Sequence, residues 1–371
     1  MKPLLVASML MLTSASAAQA EADHAAIARA SLTEVIRPGY AAFRDAADGL
    51  KTNIAALCET PSAAALKDAR EAFAATVAAW SEVEIFRFGP VGEKHRHERV
   101  FYWPDPKGLG LKQVRDVLAN KDEAATLPDE LAKKSVALQG LPAFEYLLYG
   151  DGADGLATRD GATPKGAPLP EIPTDAAFRC AFALAAATNI DRIAKSIVEG
   201  WREGSAYEKS FLGPAPEDPR YHTPKEVALD LFKSLTSGIE LVRDQKLGKP
   251  LGASPDQARP KLAAFWRSGL SLDNAAGNLE GVRALFAQGG FAQVVAGESA
   301  GVENSILFDL DNAIKVLRGI GAPIEEAVKD EPSRAKLEAL RVSLKSARDT
   351  ASDMISRGAD LSFGFNAGDG D

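Results

Sequence analysis

Apolar residues recur along most of this chain at three- and four-residue spacing, and the strict alternation of a half-buried strand is almost absent. The spacing predicts helices over residues 23–36, ending at Pro38-Gly39, and over 40–57. Thr60-Pro61 then reads as a cap and a first-turn proline for an Ala-rich helix over 62–86, with Leu66, Phe73, Val77 and Trp80 on one face. Shorter helices follow over 109–119, over 128–138 and after Gly140. A long helix is predicted from Asp175 to Arg202. Thr223-Pro224-Lys225-Glu226 has the pattern of a capping box and opens a helix over 224–245. Further helices are expected over 255–267, 272–287, 302–318 and 332–357.

Residues 150–173 hold five Gly and four Pro in 24 positions, the composition of a boundary or a long surface loop. The fold class is therefore all-α, read as two four-helix-bundle domains: an N-terminal bundle over 21–149, the loop over 150–173, a C-terminal bundle over 174–357 and a Gly/Asp-rich tail over 358–371. The similar size of the halves suggests duplication, without a clean residue-level repeat.

Residues 1–20 carry Lys2, an apolar run from Leu4 to Leu12 and small residues ending Ala18-Gln19-Ala20, the pattern of a cleavable secretory signal. Export to the periplasm is expected, with no membrane span, because that run is far short of the roughly 20 residues a span needs. Export also changes the meaning of Cys58 and Cys180, the only cysteines: they either pair as a disulfide or sit as two buried thiols, and an oxidising compartment favours the pair. With 43 Lys+Arg against 51 Asp+Glu, no basic surplus exists to neutralise nucleic-acid phosphates. Four His and two Cys mean that any metal site must lean on carboxylates.

The most unusual stretch is GLPAFEYLLYG, residues 140–150, where Glu145 is the one carboxylate among apolar and aromatic residues. A buried carboxylate costs several kcal/mol unless a cation, a donor network or a metal answers it, so Glu145 requires a specific partner. Trp80, Glu84 and Arg87 share a helical face, and a charged run over 93–99 leads directly into Phe101, Tyr102, Trp103, Pro104 and Asp105. That run should fold back onto the helices, with Arg87, Arg96 and Arg99 as candidate partners for Glu145 or Glu84. His95 and His97, with Glu98, and Glu145 itself are the candidate metal ligands; a solvated loop is the plainer reading of 93–99. The chain contains no H-E-x-x-H, G-x-S-x-G, P-loop or dinucleotide-binding fingerprint. Asp309-Leu310-Asp311 lacks the rest of an EF-hand loop.

Taken in order, AWSEVEIFRFGPV (79–91), FYWPDPKG (101–108), GLPAFEYLLYG (140–150), LGKPLG (247–252) and SGLSLDNAAGNLEGV (268–282) resemble the imelysin family, which includes iron-regulated periplasmic proteins. The resemblance implies two duplicated four-helix bundles with a site where they meet, a link to iron or haem uptake, and possible partners in an outer-membrane receptor or other iron-uptake component. It also implies a G-x-H-x-x-E signature, on which metal binding and a peptidase activity have been proposed. Here Gly140 and Glu145 match that signature, but Pro142 stands where the His belongs and offers no ligand atom. The resemblance therefore implies a binding protein more readily than a metallopeptidase. An interaction role through the loops at 93–99 and 150–173 is the remaining alternative. In the second half the resemblance singles out Ser271, read as a helix cap, and Asn278, read as either a site residue or an inter-helix hydrogen bond.

Overall fold

A computed structural model describes residues 23–158 and 175–361, and the proposed signal segment, most of the Gly/Pro-rich loop and the end of the tail lie outside those residues. Every regular element among the described residues is helical. The first part of the chain contains α1 (His24–Ala30), α2 (Arg37–Glu59), α3 (Ala63–Val83), α4 (Arg96–Val100), α5 (Leu109–Asn120), α6 (Pro128–Leu131) and α7 (Leu141–Tyr149). The second contains α8 (Asp175–Gly200), α9 (Ala206–Leu212), α10 (Pro224–Glu240), α11 (Lys249–Leu251), α12 (Ser271–Gln288), α13 (Phe291–Glu298), α14 (Val302–Gly319), α15 (Ile324–Ala327) and α16 (Glu331–Gly358). None is long and apolar enough to cross a membrane.

Helices such as α2 and α3 form where the pattern places them because each buries one apolar face. In α2 that face is Tyr40, Phe43, Ala47, Leu50, Ile54 and Leu57. It packs along α3, whose Leu66, Phe73, Val77 and Trp80 are buried as the spacing requires, and along α8. The cap of α3 is Ser62, which accepts from Ala65 N at 3.1 Å, rather than Thr60. Thr223 caps α10, accepting from Glu226 N at 3.3 Å, and the Glu226 carboxylate reaches back to His222 N at 2.7 Å.

Three expectations change. Pro38-Gly39 does not stop a helix: a π-helical segment, Ser31–Ile36, joins α1 to α2, with Arg37 N donating to Leu32 O. A second π segment, Leu241–Gly248, joins α10 to α11 just ahead of Pro250. In both places the widened turn shifts the bonding by one residue and carries a proline that an uninterrupted α-helix would reject. Residues 255–267, expected as a helix, form only the 3-10 turns Pro255–Gln257 and Pro260–Leu262, followed by Phe265 and Gly269 at positive φ (57° and 77°). Burial of the Phe265 ring, stacked 5.3 Å from Phe101, holds that turn in place. Likewise 128–138 breaks after Leu131 into turns.

Helix packing crosses the compositional boundary in both directions. Helix α8, which the loop composition assigns to the second half, packs along α2. Helix α1, assigned to the first, packs on α10, and Ser31 Oγ just beyond it donates to Gly289 O at 3.2 Å. The remaining long helices, α10, α12, α14 and α16, pack on one another, and α12 also lies against α3. Two glycines permit that last contact: a Cβ at Gly277 would stand 2.6 Å from Ser81 Cβ, and one at Gly281 2.0 Å from Glu82 O. The two helices thus touch nearly backbone to backbone.

Cys58 at the end of α2 and Cys180 near the start of α8 form a disulfide, with Cα atoms 5.7 Å apart and a sequence separation of 122. Closing so long a loop restricts the unfolded chain strongly. Replacing both cysteines by serine should lower the unfolding free energy by about 2–5 kcal/mol, read as a lower denaturant midpoint for the variant and for reduced wild type. An unchanged midpoint would contradict a structural role for the bridge.

Candidate functional site

Two adjoining groups of residues take up most of the positions that the sequence marks out. The first is a buried polar network where α3, α12 and the second π segment meet. Glu84, at the end of α3 and fully buried, accepts from Lys246 Nζ at 2.7 Å and Asn278 Nδ2 at 3.0 Å through Oε2. Lys246 also donates to Asn274 Oδ1 at 2.5 Å. Asn274 Nδ2 in turn donates to Ser81 Oγ at 2.7 Å, and Asn278 Nδ2 to Ser81 O at 2.7 Å. Asn278 is therefore an inter-helix hydrogen-bonding residue, joining α12 to the end of α3. Glu84 Oε1, Asn278 Oδ1 and Trp80 Nε1 are buried with no hydrogen-bond partner among the described residues.

The electrostatics of this network are set by desolvation against pairing. Burial pushes the Glu84 carboxyl up, but the Lys246 ammonium and the Lys246 and Asn278 hydrogen bonds outweigh it and hold the group below its ordinary range. Burial in turn draws the Lys246 ammonium down against the pull of Glu84. The short contact between Lys246 Nζ and Glu84 Oε2 is that of an ion pair. Lys246 further stands 5.1 Å from the Phe101 ring centre and 5.3 Å from that of Trp103, so its charge also faces aromatic density. His97 borders the network, with its ring 5.1 Å from Trp80, Nδ1 3.0 Å from Arg87 Nη1, and Nε2 3.4 Å from Glu84 O. Burial, then the Arg87 charge, pushes His97 down to about 4.

The second group lines a cavity of about 550 Å³ reached through Trp103. Its floor is the start of α7. Gly140 is the N-cap there, and a Cβ would collide with Val100 O at 2.5 Å, so α7 begins against the chain that leads into the aromatic run. Pro142 and Glu145 face the cavity from the first turns of α7. Glu145 Oε1 accepts from both Ser268 N and Ser268 Oγ at 2.8 Å. Burial pushes its carboxyl up, and these bonds and the nearby Arg267 charge offset this only in part. Asp105 also borders the cavity, but its carboxylate caps α5 by accepting from Leu109 N at 2.9 Å and Gly110 N at 2.7 Å. Trp103 Nε1 donates to Leu262 O at 3.2 Å.

Several sequence assignments are corrected by this geometry. None of the three candidate arginines bonds to Glu145 or Glu84. Arg87 meets His97, Arg96 donates to Pro90 O at 2.6 Å, and Arg99 donates to Ala132 O. The two acids are answered instead by Ser268 and by Lys246, residues that sequence pattern alone does not distinguish. Asn274 could have been found, since it lies four residues before Asn278 on the same helical face. Ser271 is not a cap: Leu270 holds that position, and Ser271 Oγ donates to Ala264 O at 2.7 Å, pinning the cavity wall.

The donors do not fit a metal ion. The His95 side chain is 83% exposed, whereas His97 is 2% exposed and engaged, so the two do not converge. Beside Glu84 and His97 stand an ammonium and a guanidinium, where a metal needs neutral or anionic donors. Among the described residues no three His, Cys, Asp or Glu side chains stand together in a way that could hold a metal.

Two outcomes follow from the network. Lys246→Met leaves Glu84 buried and uncompensated and should cost about 3–5 kcal/mol, while adding Glu84→Gln should recover much of that loss in denaturant titrations; equal losses in the single and double variants would contradict the pairing. His97, neutral in the fold, contributes stability that is present above pH 6.5 and lost as pH falls toward about 4. The loss attributable to it should be about 3 kcal/mol, seen as a flatter pH dependence of the melting temperature in His97→Gln. Parallel profiles would contradict it.

Comparison with known proteins agrees with this arrangement of helices. Two solved structures share the fold: an imelysin-like protein from Psychrobacter arcticum 273-4 (TM-score 0.70, 19% identity, 92% of this chain and 97% of that one) and a putative iron-regulated protein A precursor from Parabacteroides distasonis (TM-score 0.72, 14% identity, 91% and 97%). The iron-regulated protein A of Synechococcus elongatus is 22% identical over 222 residues, 59% of this chain, and the match spans about half of that relative's length. The imelysin family pattern matches residues 36–350, and the chain belongs to the imelysin family.

Proposed function

We propose that this protein is exported and binds an iron-containing ligand in the cavity beside Glu145, serving iron acquisition together with another component of the cell envelope. The observation that carries the reading is the cavity itself. Its volume of about 550 Å³ suits a small molecule, and it is walled by family-signature residues from α7 and by the Trp103 loop. The link to iron rests on the relatives named iron-regulated protein A. Export rests on the signal pattern of residues 1–20, with which a disulfide is consistent. Pro142 in place of the signature His, and the engaged state of Glu145, support binding over hydrolysis: a catalytic metal needs about three protein ligands and a polarised water.

The direct test grows the source organism with and without an iron chelator and quantifies the protein in osmotic-shock and cytoplasmic fractions. The expected result is a higher level under iron limitation, in the shock fraction. A level indifferent to iron, or retention in the cytoplasm, would overturn the reading. Metal-dependent peptide cleavage abolished by Glu145→Gln would instead establish an enzyme.

A further inference from the structure

The charges around the cavity are unbalanced. Its lining includes two acids, Asp105 and Glu145, and four cations, Lys249, Arg259, Lys261 and Arg267. Both acids are already engaged by hydrogen-bond donors, Asp105 by two backbone N–H groups and Glu145 by Ser268. None of the four cations makes an ion pair among the described residues. Two are held by an aromatic ring instead: the Arg267 guanidinium lies 4.2 Å from the Trp266 ring centre and Lys261 Nζ 5.0 Å from it. An aromatic face fixes a cation in place without cancelling its charge, as a carboxylate would. Lys249 and Arg259 are exposed and also line an adjoining cavity of about 760 Å³, so they stand at the junction of the two spaces. The tyrosine on the cavity floor, Tyr146, has three guanidinium groups, of Arg115, Arg179 and Arg267, within 5.3–5.7 Å of its ring centre.

A cavity so lined repels a bare cation and attracts an anion. We propose that the ligand is an anionic ferric chelate of the polycarboxylate class, its carboxylates meeting Lys249, Arg259, Lys261 and Arg267, rather than a free metal ion coordinated by Glu145. This deepens the iron-binding reading and rests on it. Arginine and lysine supply different parts of the recognition: a guanidinium matches a carboxylate edge in two parallel hydrogen bonds, and an ammonium acts as a point charge. The chelate keeps its own carboxylates on the iron, so the protein contributes no ligand atom. That accords with a site whose signature His is a proline.

Calorimetric titration of the purified full-length mature protein tests the proposal, using ferric citrate, redox-inert gallium citrate, metal-free citrate, a neutral ferric trihydroxamate and cobalt(II) chloride as probes. Ferric and gallium citrate should bind alike. Lys249→Glu and Arg259→Glu should each weaken that binding roughly tenfold, as should raising ionic strength from about 0.02 to 0.2 M. Both side chains are exposed, so unchanged melting curves verify that the variants fold, and Lys249→Gln should give an intermediate effect. Chelate binding indifferent to both reversals, or cobalt binding in preference to the chelates, would overturn the proposal. Preference for the neutral trihydroxamate would overturn it while leaving the iron-binding reading intact. Metal-free citrate binding as tightly as ferric citrate would overturn both.

Discussion

The buried contact between Glu84 and Lys246 is the constraint on which the rest of this structure turns. A carboxylate at the end of α3 has no access to water, and isolated burial of such a charge costs several kcal/mol. It is tolerated because α12 comes close enough for Asn278 to donate to it, and because Lys246 donates to the same carboxylate oxygen. The close approach depends on Gly277 and Gly281, where any larger residue would meet α3 directly. The arrival of Lys246 depends on the π segment that precedes Pro250. Sequence features 160 to 200 residues apart therefore serve one electrostatic requirement.

The same requirement places the cavity. Lys246 faces Phe101 and Trp103, and Phe101 stacks on Phe265. Those contacts fix the Trp103 loop and the 255–270 turn as opposing walls, and the turn delivers Ser268 to Glu145. Fold stability and site geometry are thus coupled through one lysine. The start of α7 presents a hydrogen-bonded carboxyl, Glu145, beside Pro142, and the exposed charged side chains lining the cavity, Lys249, Arg259 and Lys261, are cationic.

How much of this was legible in the sequence depended on range. The helices with a single apolar face, such as α2, α3, α12 and α16, follow from spacing because burial of that face decides their conformation. Glu145 was legible as an acid without room for water, and Asn278 as a polar residue within a resembling segment. The partners were not. Ser268 and Lys246 reach their acids across 123 and 162 residues of sequence, and no local pattern pairs either one with its acid. The nearby arginines are the natural candidates from proximity in sequence, but Arg96 and Arg99 satisfy the carbonyls of Pro90 and Ala132, and Arg87 meets His97. Pro38 is a related case: a proline breaks an α-helix, whereas the π turn that accommodates it is set by packing. The failed helix at 255–267 belongs with it, since the burial of Phe265 is a tertiary fact.

The most direct measurement of the account is anomalous diffraction at the iron edge from crystals soaked in ferric citrate. The account predicts a single iron peak in the cavity, within reach of Lys249, Arg259 and Arg267 through the chelate and without a direct bond to Glu145. Iron bonded to the Glu145 carboxylate or to His95, or no iron in the cavity, would contradict it.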